Sequence, residues 1–87
     1  MERELQLELL KKLIQAHIKR HLFLHLNYQR EELLAMGLTS LSKCLSKKVN
    51  PNMLIEKLEW EAKNKINEYS EIWAKKIVKE YDQKLRE

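Results

Sequence analysis

From Leu58 onward, apolar residues return every three or four positions. Leu58, Ala62, Ile66, Tyr69, Trp73, Ile77, Tyr81 and Leu85 would form one stripe along a helix of 3.6 residues per turn. Charge alternates around the opposite face, with Glu61–Lys65, Glu71–Lys75 and Glu80–Lys84 in the favourable i,i+4 order. Upstream, "KKVNPNM" supplies a helix start, with Asn50 as a polar N-cap and Pro51 at a position where its missing N–H costs nothing. The pattern predicts one helix over about 51–86, roughly 54 Å long. A compact chain of 87 residues has a radius of gyration of about 12 Å and a diameter of roughly 30 Å. Such a helix would overshoot it, and its far end would need cover from another long helix or from another chain.

The first half is also helical in pattern. A helix predicted over about 2–26 carries Leu5, Leu9, Leu10, Leu13 and Ile14 on one side, with Glu4, Glu8, Lys11, Lys12, Gln15 and Lys19 on the other. Its end has two readings. It can continue to Met36 and close on Gly37, the only glycine, as a left-handed cap, or it can break at Asn27. The run "LFLHL" at 22–26 would place apolar groups almost all round a helix. A short helix over about 40–48 follows, started by Thr39 or Ser40, with Leu41, Cys44, Leu45 and Val49 turned inward. The expected fold is all-α, an extended helical hairpin or three-helix arrangement in one domain. The very long C-terminal helix would be completed by another chain.

Composition supports the class. One Gly and one Pro leave too few turn formers for a sheet of several strands. The longest apolar runs fall far short of the ~20 residues that span a bilayer, and the mixed charge of "MERELQLELLKK" is unlike a targeting peptide. With a single cysteine there is no internal disulfide to form. The expectation is a soluble intracellular protein of cytoplasm or nucleus. Formal net charge is +4, and three lysines, Lys43, Lys47 and Lys48, sit in 38–50 without an acid. That excess admits nucleic acid or an acidic partner.

Few residues point to chemistry. His17, His21 and His25 recur every four residues, a spacing that lets two imidazoles share zinc. No glutamate follows the first of them as the helical zinc motif requires, however, and Cys44 stands alone. They read as contact residues beside the apolar stripe, His21 as part of an interface, and Cys44 as a small core residue. No glycine-rich loop or paired-carboxylate signature is present. No catalytic residue, metal, cofactor or small-molecule substrate is therefore expected.

Two functions fit what remains. The first is a non-enzymatic helical subunit or adaptor that assembles with itself or within a larger complex. Tyr69, Trp73, Ile77 and Tyr81 on the stripe, and Trp60 off it, would join His21 as partner contacts. The second rests on "SLSKCLSKKVNPNMLIEKL", which resembles the helix-turn-helix pattern of DNA-binding regulators over about residues 39–57. The resemblance implies phosphate contacts by Lys43, Lys47 and Lys48, and base-edge contacts by Asn52 and Lys57. The usual glycine of the turn is absent; Lys47, Lys48 and Val49 occupy that neighbourhood.

Overall fold

The structure, a computed structural model, describes residues 3–20, 29–62 and 67–86. Four helices make up nearly all of them: α1 (Arg3–Arg20), α2 (Arg30–Ser46), α3 (Pro51–Glu61) and α4 (Asn67–Arg86). None is long and apolar enough to cross a membrane.

α1 is the hub. It packs on each of the other three helices, α2 touches α3 and α4 less extensively, and α3 and α4 do not meet. The sequence of α1 explains how one helix can serve three. Leu10, Ile14 and Ile18, with Leu7 beside them, lie along one side and join Leu33 of α2 and Ala74, Ile77 and Val78 of α4. At 100° per residue, Leu9, Leu13 and Ala16 fall roughly 140° round the helix. There they join Leu41 of α2 and Ile55 and Leu58 of α3. The apolar side expected of α1 is therefore two stripes, while Leu5 is half in water.

This double face overturns the continuous C-terminal helix. Ala62, the second position of the predicted stripe, has an extended backbone (φ −69°, ψ 126°) and ends α3. Ile55 and Leu58 belong to one core cluster and Ile77 to the other, on different sides of α1. One straight helix could reach only one of them. The result measures 32 × 29 × 19 Å with a radius of gyration of 12.2 Å, too short for a 54 Å rod. The chain is a compact helical bundle in which Ile77 of the stripe is buried from within, Trp73 and Tyr81 are half-buried, and Leu85 is left 54 % exposed.

Gly37 and its surroundings need the second correction. α2 runs through Gly37 and through the separate short helix expected at 40–48, so Thr39 and Ser40 are interior helical residues and not caps. Gly37 has no positive φ. It marks instead a close approach of α2 to α1, where a Cβ would stand 2.7 Å from Ile14 Cγ1 and 3.0 Å from Leu10 Cδ1. Gln29, the N-cap of α2, is extended (φ −77°, ψ 165°), so the first helix does not run unbroken to Met36. Asn27, the alternative break, lies outside the described residues.

α2 ends in a Schellman motif. Val49 N donates to Cys44 O at 2.8 Å and Lys48 N to Leu45 O at 3.3 Å, with Lys48 in the left-handed region at φ 57°. Two residues later Asn50 Oδ1 accepts from Asn52 N at 3.0 Å and Pro51 opens α3, itself buried. Of the charges expected to pair along one helix, Glu80 meets Arg30 of α2, and Glu61 meets Arg20 of α1 while its expected partner Lys65 lies outside the described residues. Glu59 also meets Lys19 of α1.

Candidate functional site

The expected partner seam on α4 is largely absorbed by the fold. Ile77 is 2 % exposed in the core. Trp73 and Tyr81 are half-buried against the same cluster, because α4 lies along α1 and does not project from the bundle. The Trp73 ring is also capped by cations, with the Arg30 guanidinium 5.2 Å from its centroid and the Lys76 ammonium 5.9 Å away. The Tyr69 side chain and all of His21 and His25 lie outside the described residues. His17 is half-buried, its Nε2 in a hydrogen bond of 3.0 Å with Ser40 Oγ of α2. That contact ties two helices together. Among the described residues, no three His, Cys, Asp or Glu side chains gather as a metal site would need. Cys44 is buried in the bundle.

Trp60 is different. It is 87 % exposed on the outer face of α3, and Met53, two turns earlier on that face, is 64 % exposed. Glu56 and Lys57 lie between them, both exposed and neither in an ion pair among the described residues. These four positions span about 100° of the helix circumference. Ile55 and Leu58 anchor the opposite face in the core. α3 thus presents a tryptophan and a methionine to water because its inward face is already satisfied by α1.

Beside this face runs an open groove of about 370 Å³ between the end of α2 and the start of α3. It is lined by Lys43, Cys44, Lys47, Val49, Met53, Leu54 and Lys57. Its floor is apolar and every charged residue on its rim is a lysine. Val49 (41 % exposed) lines it, and Leu45 (46 %), on the last turn of α2, adds further exposed apolar surface at this corner. Of the nucleic-acid contacts expected from the sequence, Lys43, Lys47 and Lys57 are brought together here. Lys48 is exposed in the turn, and Asn52, also exposed, is engaged through its backbone N–H in the cap. Leu45 and Val49, expected to turn inward, are exposed instead, because Leu41 and Cys44 already fill the inward side of this corner, and Met53, which the sequence pattern left unassigned, is exposed with them. The available signal was the seven-residue interval from Met53 to Trp60, which puts the two on one side of a helix. Compared with family models, with curated proteins and with solved structures, the chain matches none.

Proposed function

We propose that the protein is a non-enzymatic helical module that assembles with itself or with another protein, and that the outer face of α3 with the adjoining groove is its contact surface. The observation that carries this reading is the exposure of Trp60, aligned with Met53. Trp and Met are enriched at the centres of protein interfaces, and buried Trp most often dominates their energy. A side chain so exposed adds almost nothing to the packing of its own bundle. Replacing Trp60 by Ala therefore separates assembly from folding. The variant should keep the wild-type melting temperature within about 4 °C, since surface changes of this kind stay within about 0.5 kcal/mol. A photo-crosslinking residue placed at position 53, which leaves Trp60 intact, should give covalent protein adducts in cells that Trp60→Ala abolishes, while one at Lys79 should give none. Absence of adducts at position 53 would overturn the reading.

A second reading is favoured by one observation, the four-residue connection at 47–50 between α2 and α3, flanked by Lys43, Lys47 and Lys48. This arrangement suits a helix-turn-helix contact with DNA. Against it stands Glu56, exposed on the face that would enter the groove of the duplex. Binding through three lysines would give a slope of about −2.7 in log affinity against log salt, whereas apolar contact would give almost none.

A further inference from the structure

The exposed face of α3 is complementary to itself when reversed. Numbering from either end of the segment 53–60, an apolar group comes first, a charge fourth, the opposite charge fifth and an apolar group last. Against an antiparallel copy, Met53 would face Trp60, and Glu56 would face Lys57, twice each by symmetry. The spacing i, i+3, i+4, i+7 keeps all four on one side of α3.

The groove beside that face asks for a flat apolar group that tolerates cations. Its floor includes Val49, Met53 and Leu54, and its rim Lys43, Lys47 and Lys57. An indole ring meets both demands, through burial and through cation–π contact with lysine ammonium groups. The chain offers such a ring at 87 % exposure, and the reversed register brings it over Met53, which lines the groove. Methionine sulfur at an aromatic edge is itself a favourable contact.

We infer that two copies of this chain form an isologous dimer in which α3 packs antiparallel on α3, each Trp60 seating in the other copy's α2–α3 groove and each Glu56 pairing with the other copy's Lys57. This rests on the assembly reading and supplies its partner. Isologous contact is the commonest closed arrangement of like chains. The contact is small. Two indoles, two methionines and the stems between them bury on the order of 1,000 Å² in total, below the 1,200–2,000 Å² or so of standard stable interfaces. The dimer is therefore of the weak, transient class and forms only at high protein concentration.

Sedimentation equilibrium of the full chain between about 5 μM and 1 mM tests it, with circular dichroism confirming that each variant folds. Wild type should pass from 10.5 kDa to twice that mass. Trp60→Ala should stay monomeric throughout. Glu56→Lys and Lys57→Glu should each weaken the dimer at least about tenfold, by placing like charges opposite one another. The combined E56K/K57E variant restores the opposite charges and should return to within about threefold of wild type. A monomer at 1 mM would overturn the dimer, while Trp60-dependent crosslinks from position 53 to a different protein would still uphold the assembly reading. A dimer indifferent to Trp60→Ala, or one that the double exchange fails to restore, would overturn this arrangement.

Discussion

Replacing Gly37 by Ala opposes two effects of known size, and the structure decides between them. In the middle of α2, where φ is not positive, alanine gains about 1 kcal/mol over glycine in helix propensity. The added Cβ, however, would stand 2.7 Å from Ile14 Cγ1 and 3.0 Å from Leu10 Cδ1, against an optimum of roughly 3.5–4.0 Å between carbon atoms. Leu10 could turn its terminal methyl away at small cost. Ile14 cannot, because Cγ1 sits on a β-branched carbon with essentially one χ1 rotamer in a helix, and the side chain is 0 % exposed. α2 must therefore move off α1 by roughly 1 Å, and overpacking of this kind costs about 1–3 kcal/mol. With the stiffness at Ile14 the cost falls at the upper end, so the net loss should be about 1–2 kcal/mol. For a chain of this size that lowers the melting temperature by about 5–10 °C. Urea unfolding followed at 222 nm gives the free energy directly. The background Ile14→Ala isolates the cause: it removes Cγ1, so Gly37→Ala should there become stabilising by up to about 1 kcal/mol. A Gly37→Ala variant as stable as wild type, or an equal loss in both backgrounds, would refute the close approach of the two helices.

Two further substitutions test the α2–α3 corner. Lys48→Gly should raise stability by about 0.5–1 kcal/mol: it relieves a left-handed conformation worth about 1–2 kcal/mol, offset in part by glycine's extra freedom when unfolded, and a loss in urea unfolding would contradict the turn geometry. Asn50→Ala should cost about 1 kcal/mol by leaving Asn52 N–H without its cap, read from the same transition, whereas an unchanged midpoint would place the start of α3 elsewhere.

The start of α3 is readable from the sequence because it depends on neighbours: Asn50 caps and Pro51 opens the helix within three residues of chain. Gly37 is not readable in the same way. A lone glycine serves equally as a helix terminator or as a site of close approach, and the choice lies with Leu10 and Ile14, more than twenty residues away. The end of α3 at Ala62 is hidden for a similar reason. Its stripe continues without Gly or Pro, and only the two separate apolar sides of α1 require the chain to leave one and reach the other. At the proposed contact surface, Trp60 and three of its neighbouring lysines stand out in the sequence. Met53 and Val49 do not, since an apolar residue at helical spacing reads as core until its inward face is seen to be filled by Ile55 and Leu58.

Among the described residues α3 and α4 do not touch and are bridged by α1 and, less extensively, by α2, which has a consequence for how the molecule breathes. Each of the two outer helices can detach without disturbing the other, so amide exchange should report two openings with separate free energies. α3, the shortest of the described helices, holds on by Pro51, Ile55 and Leu58 and two ion pairs to the end of α1. Its amides should exchange first, ahead of those on the buried side of α4. Anything that bound the outer face of α3 would then slow exchange there while leaving α4 at its original rate, and the protection map would trace the boundary between the two halves of the core.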